Sequence, residues 1–423
     1  MDFRKLPDTG PFRLENITVP ACLLGQSGGL VRHALTIDGG VISDRADVPV
    51  IDMGGAMVFP CFIDMHTHLD KGHIWPRAAN PDGTFMGALT TVGADREANW
   101  NAIDVAARMD FALRCAYAHG TRAIRTHLDS ISPQDAISWP VFAEMRDKWA
   151  GRIELQAAAL AGVDRVEMSG NYIRTADIVA EHGGVLGLVT YPISDLRERL
   201  RAFFKLAMAR GLEVDFHADE TGDATVATLR VIAETVLELG YARPVTVGHC
   251  CSLAVQPEAE ALSTLDLVAQ AGLNIVSLPM CNLYLQDRTG ARTPRWRGIT
   301  LVHEMKARGI NVSFASDNTR DPFYAYGDLD MLEVMREATR IAHLDHSDPD
   351  WTHAFLTNPA RACSLNAPSL APGAPADLVI TRARGWTELF SRPQSDRIVL
   401  RAGRAIDRTL PDYAELDPLM RPQ

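Results

Sequence analysis

The sequence predicts a (β/α)8 barrel, and three observations predict it. Strand-like apolar runs alternate with helical patterns between residues 58 and 316. Eight such runs occur, the number that closes a parallel barrel. Histidine or aspartate stands at the end of five of them, and the strand ends of a barrel converge on one rim. A doubly wound sheet is the competing architecture, but no Gly-rich phosphate turn follows the first strand.

Residues 1–58 read as short strands and turns. Val31 to Ile37 and Val41 to Ile42 flank Asp38-Gly39-Gly40, a hairpin turn signal, and Val48 to Asp52 and Ala56 to Val58 are parted by Gly54-Gly55. The expected barrel strands are Val58–Met65, Arg122–His127, Ile153–Ala159, Val185–Thr190, Leu212–His217, Val245–His249, Asn274–Leu278 and Ile310–Ser316. Helical patterns lie between them at Ala102–Ala118, Glu198–Arg210, Ala224–Leu239 and Glu258–Ala271. Gly120, Gly211, Gly272 and Gly309 stand where a left-handed residue would stop a helix before the next strand. Pro76 to Ala98, rich in Gly, Pro and Asn, reads as a long loop covering the substrate. Beyond residue 370, Ala376 to Ile380 and Arg397 to Leu400 return to strand character and could join the N-terminal strands.

Composition narrows the function. Of 423 residues, 47% are hydrophobic and 22% charged, ordinary for a globular enzyme. A net charge of −11 and the lack of any basic run with interleaved aromatics argue against nucleic acid. Met1-Asp2-Phe3-Arg4-Lys5 leads into no apolar signal-peptide core, and no stretch approaches the roughly 18 apolar residues of a membrane span. Seven scattered cysteines without C-x-x-C spacing fit reduced thiols in a cytoplasmic protein.

His66 and His68 end the first strand at i, i+2, a spacing that points both imidazoles to one side. The bland alternative is a hydrogen-bonded pair at a strand end. His127, His217, His249 and Asp317 follow at later strand ends. His66, His68, His217 and Asp317 would give one divalent ion a mixed nitrogen and oxygen set, suited to Zn²⁺ or Fe²⁺. Such an ion would lower the pKa of water. Glu220, three residues beyond His217, could carry the proton to a leaving nitrogen; alone, it would read as a carboxylate at a helix start. His249 could polarise the substrate or position the nucleophile. Cys250 and Cys251 read as small buried residues.

Taken in order, His66-Thr67-His68-Leu69-Asp70, Asp82-Gly83-Thr84, Arg125-Thr126-His127-Leu128-Asp129, Asp215-Phe216-His217-Ala218-Asp219-Glu220 and Gly248-His249 form a recognisable set. It continues through Asn282-Leu283-Tyr284-Leu285-Gln286, Arg297-Gly298-Ile299-Thr300, Ser316-Asp317-Asn318 and Ala376-Asp377-Leu378-Val379. Across nearly the whole chain this resembles the amidohydrolase superfamily, in particular its cytosine deaminase-like branch. The resemblance implies a distorted (β/α)8 barrel over residues 59–364 and a composite β-sandwich built from residues 1–58 and 365–423. It implies one metal on His66, His68, His217 and Asp317, with Glu220, His249 and Asp317 catalytic. Hydroxide adds to a ring carbon bearing an amino group, and ammonia leaves.

Two departures separate the chain from cytosine deaminases. Gly162 stands where those enzymes carry a Gln that grips the pyrimidine edge, which predicts more room or a different ring edge, and Asn318 replaces an acidic residue. Lys71 and the run Ser316 to Asp321 look more like N-isopropylammelide aminohydrolases. Lys71, Trp75, His127, Gly162, Gln286 and Asn318 are the expected substrate contacts. The reading is a metal-dependent hydrolase of a C–N bond in a nitrogen heterocycle, releasing ammonia in the manner of cytosine deaminase. The alternatives are an N-alkyl aminotriazine or cyclic amide hydrolase, and a silent binding barrel. The expected partner is a small heterocycle, with a homo-oligomer left open.

Overall fold

The computed structural model describes residues 3–166 and 170–420. Eight parallel strands run in chain order as Phe62–Thr67, Thr121–Asp129, Glu154–Leu160, Leu186–Thr190, Val214–Ala218, Val245–His249, Asn274–Ser277 and Asn311–Phe314. The first three form one hydrogen-bonded arc and the last five another. Isolated parallel bridges join the arcs at both seams, Ala158 to Val185 and Gly162 to Val189 on one side, Thr67 to Asp317 on the other. The barrel is therefore distorted, with its first and eighth strands meeting at residues of chemical interest.

Helices cover the outside. Ala102–His119 and Leu196–Arg210 both stop at a glycine in the left-handed region, Gly120 at φ 96 and Gly211 at φ 63, as the expected stops require. The apolar faces of these helices and the strands share one continuous core that includes Phe62, Leu113, Ile124, Phe203, Phe216 and Phe314.

Strands from both termini form a single continuous eight-stranded sheet. Its joint is Met57–Pro60 running antiparallel to Leu378–Thr381, with Phe59 opposite Val379. A core of its own, with Phe12, Ile17, Val58, Leu378, Ile380 and Leu400, lies against this sheet. No helix among the described residues is long and apolar enough to cross a membrane.

Two expectations need correction. The single strand Val58–Met65 is two strands that break at Cys61. The Cys61 amide still donates to Asp377 O in the terminal sheet at 2.9 Å, while the Phe62 amide donates to Gly120 O in the barrel at 3.0 Å. The hydrogen-bond partner changes within an unbroken apolar run. The long loop Pro76 to Ala98 is loop only in its first part, because Phe85–Asn99 is helical. Thr84 caps that helix by accepting from the Gly87 amide at 3.0 Å, and Asp82 holds Thr84 by accepting from its amide at 2.8 Å. Arg77 then ties the loop to this helix through Asp95 at 2.9 Å and to the next, Ala102–His119, through Asp104 at 2.5 Å.

Candidate active site

Three of the strand ends turn sharply where they present a polar side chain. Asp219, His249 and Asp317 all have left-handed backbones, with φ of 56, 70 and 67. Non-glycine residues adopt that region only when surrounding contacts compel them, and such residues concentrate at functional sites. Here the compelling contacts are visible. The Asp317 amide donates to His66 O at 2.9 Å. The Asp219 carboxylate accepts from the Thr228 and Leu229 amides at 2.7 and 3.1 Å. One residue before Asp317, Ser316 donates to Asp64 through its amide at 3.1 Å and its hydroxyl at 2.5 Å.

These turns bring His66, His68, His217 and Asp317 together although the chain holds them far apart. His217 Nε2 lies 3.1 Å from His66 Nε2 and 3.4 Å from His68 Nε2. Asp317 Oδ1 lies 3.2 Å from His68 Nε2 and 3.6 Å from His66 Nε2. Burial, followed by the neighbouring imidazoles and, for His68 and His217, by Lys71, pushes all three histidines well below their ordinary pKa, which favours the neutral ring with a free lone pair. Burial also raises the Asp317 carboxyl, to about 7, with the Cys281 thiol opposing and Asp321 reinforcing the shift.

Neutral imidazoles facing nitrogen to nitrogen cannot all satisfy one another, and neither Asp317 oxygen receives a hydrogen bond from a backbone amide or hydroxyl. Four ligands each about 2.0–2.1 Å from a tetrahedral ion stand about 3.3 Å apart. The observed separations of 3.1 to 3.6 Å match that spacing. The donor set fits a divalent cation.

Glu220 and His249 form the adjoining group. His249 Nδ1 lies 3.4 Å from Glu220 Oε1. Asn282, on the helix Pro279–Leu285, reaches both, 3.0 Å from His249 Nδ1 and 3.3 Å from Glu220 Oε1. Gln286 donates to the Glu220 carbonyl at 3.3 Å, so its amide steadies Glu220. Burial and then the nearby Asp317 charge push the Glu220 carboxyl well up, which suits a group that must both take and return a proton. Burial and His127 drop His249 to about 3. Sequence reasoning placed Asn282 within a motif without giving it a role.

The remaining expected contacts separate. Lys71 is buried, 3.3 Å from Asp129 Oδ1 and 5.3 Å above the Phe323 ring, and Arg96 holds the other Asp129 oxygen at 2.7 Å. Burial opposes the Lys71 charge, but Asp129, Asp70 and Asp321 outweigh it and keep the ammonium. His127 is wholly buried, its ring centroid 4.0 Å from that of His66 and its Nε2 3.1 Å from Asp215 Oδ1, among the imidazoles themselves. Trp75 is half-buried, with its amide donating to Arg320 O at 2.8 Å. Asn318 turns inward, donating to Asp321 Oδ2 at 2.7 Å. At Gly162 the expectation of extra room is corrected. A Cβ there would meet Asp164 Oδ1 at 2.5 Å and the Tyr191 hydroxyl oxygen at 2.7 Å. Tyr191 donates to Asp164 at 2.5 Å, so a tyrosine from the next loop fills the space.

Comparison with known proteins places this geometry in context. Residues 112–406 match the model of the amidohydrolase family. A pterin deaminase from Rhizobium rhizogenes is 52% identical over 99% of this chain and 99% of its own. An N-isopropylammelide isopropyl amidohydrolase from a Pseudomonas species is 25% identical over 78% of this chain and 81% of its own. Among solved structures, the 5-methylcytosine deaminase from Klebsiella pneumoniae liganded with 5-fluorocytosine superposes with a TM-score of 0.78. It is 24% identical and covers 93% of this chain and 97% of that one, a likeness of fold.

Proposed function

The chain belongs to the amidohydrolase family, and from that premise we propose that it is a pterin deaminase. One observation carries the substrate: 52% identity to a pterin deaminase along essentially the full length of both chains. In the proposed reaction water replaces the ring amino group of a pterin. A C–O bond forms at the carbon bearing the amine, the C–N bond breaks, and the products are ammonia and the corresponding dioxopteridine.

His66, His68, His217 and Asp317 would hold one divalent ion, zinc or iron. When bound, the ion supplies Lewis acidity that brings the pKa of water toward neutrality. Glu220 takes a proton from the attacking water and delivers it to the departing amino nitrogen, which must leave as neutral ammonia. His249 hydrogen-bonds the reacting groups. Lys71, a retained cation beside Phe323, faces a polar ring edge, with Trp75 at the margin. Seven free cysteines favour a reducing, cytoplasmic setting.

The test is ammonia release by metal-loaded protein from pterin, cytosine and N-isopropylammelide. Turnover of pterin well above the other two supports the reading. Isopropylamine release without ammonia from pterin would replace it with the N-alkyl hydrolase activity.

A further inference from the structure

Asn282 has no exposed surface, and its amide nitrogen touches two groups of the site at once. In the structure it is this nitrogen, and not the amide oxygen, that faces Glu220 Oε1 at 3.3 Å and donates to it. The same NH2 lies 3.0 Å from His249 Nδ1. That ring nitrogen must then be the bare one, and the proton sits on Nε2. His249 Nε2 is buried and has no hydrogen-bond partner in the protein.

Asn282 is itself held firmly. Its amide donates to Leu278 O at 3.0 Å and its carbonyl accepts from the Gln286 amide at 2.9 Å. Gly298, at φ 75, lets the following loop approach so closely that a Cβ would stand 2.7 Å from Asn282 O. One short helix and the residue after it thus grip Glu220 twice, at its side chain through Asn282 and at its carbonyl through Gln286.

His249 also lies within ligand distance of His66 and Asp317, so on proximity alone it could serve as a metal ligand. We propose that Asn282 is a positioning residue that fixes His249 as its Nε2–H tautomer beside Glu220, making His249 a hydrogen-bond donor to the reacting groups and not a metal ligand. The proposal rests on the deaminase reading of the site and adds the residue that sets its proton geometry.

The test compares full-length, zinc-loaded wild type with Asn282→Ala and the nearly isosteric Asn282→Asp. Metal content, kcat and KM for pterin are measured, together with imidazole 15N shifts, His249 being assigned by its loss in His249→Gln. The wild type should show the Nε2–H pattern. Asn282→Ala should lower kcat by on the order of 100-fold or more with KM within about threefold and zinc retained, the scale of a lost acid–base arrangement. Asn282→Asp, an acceptor, should move His249 to the Nδ1–H form. An Nδ1–H wild type, a kcat within about threefold of wild type, or activity lost only in step with zinc would each overturn the proposal. Should Asn282→Ala not fold, an unchanged His249 tautomer in Asn282→Asp overturns it. A wild type inactive on pterin overturns the deaminase reading instead, and its tautomer spectrum still judges Asn282.

Discussion

A Cβ placed on Gly248 would stand 2.9 Å from Cε1 and 3.2 Å from Nδ1 of the His66 ring. The sixth strand therefore leaves out a side chain so that an imidazole from the first strand can lie against its backbone. His66 has no room to yield, because its Nε2 is already 3.1 Å from His217 and its ring lies 4.0 Å from His127. Gly248→Ala should displace the ring and weaken metal binding by about 10- to 100-fold, the usual effect of disturbing a ligand's support. Chelator competition measures the affinity and circular dichroism the fold. Wild-type affinity in a folded Gly248→Ala protein would refute the tight fit.

Metal removal gives a second expectation. Dialysis against a strong chelator should abolish ammonia release from pterin, and zinc or iron should restore it. Stability should fall as well, because an ion bound only by the folded chain contributes about 4 kcal/mol at a free concentration of about 1,000 Kd. A melting scan with and without metal reads the difference. Equal melting temperatures, with full activity in the chelated protein, would dismiss the cluster as a metal site.

The meeting of His66, His68, His217 and Asp317 was legible because each lies at or just past the end of a strand, and the alternation of strands and helices is a local signal. His66 and His68 share one side by their spacing, and the His and Asp residues at later strand ends are what turned that pair into a candidate metal site. Asn282 was not legible in this way, because it lies on a helix, and only the packing of Pro279–Leu285 across the barrel mouth carries its amide to His249 and Glu220. The break at Cys61 was hidden for a related reason. Composition reports an apolar extended run and says nothing of which neighbour receives its hydrogen bonds. The helix Phe85–Asn99 was masked by Gly87, Gly93 and the Pro and Asn residues ahead of it, although Thr84 is a sound cap.

Gly162 shows the same limit and leads to a third expectation. The missing side chain suggested empty space, but Tyr191 and Asp164 occupy it. Gly162→Gln should not confer cytosine deamination, because the new side chain would have to expel that pair. Both members of the pair are exposed side-chain ends, so displacing them should cost about 1 kcal/mol or less. Ammonia release from cytosine and a denaturation curve test both parts. A stable variant with new cytosine activity would show that the Tyr191–Asp164 pair moves aside freely.

The fourth expectation concerns the joint between barrel and terminal sheet. Arg397 donates to both oxygens of Asp330, at 2.7 and 2.6 Å, and its side chain is only 2% exposed. Burial alone would raise the Asp330 carboxyl, but Arg397 and then His119 outweigh it and hold it well below the usual range. A carboxyl depressed in the folded state contributes stability above its unfolded pKa of about 3.9, and that contribution is lost as pH falls toward the folded value. Asp330→Asn keeps an oxygen to cap Leu332, whose amide now donates to Asp330 at 3.0 Å, and so removes chiefly the charge. It should cost about 3–5 kcal/mol near pH 7, because Arg397 is left buried without its counter-charge. The gap from wild type should narrow as pH falls from about 5 to about 3, where the native carboxylate loses its advantage. Urea unfolding across that range measures it. A gap that stays constant, or widens, would mean that the pair does not act through its charge.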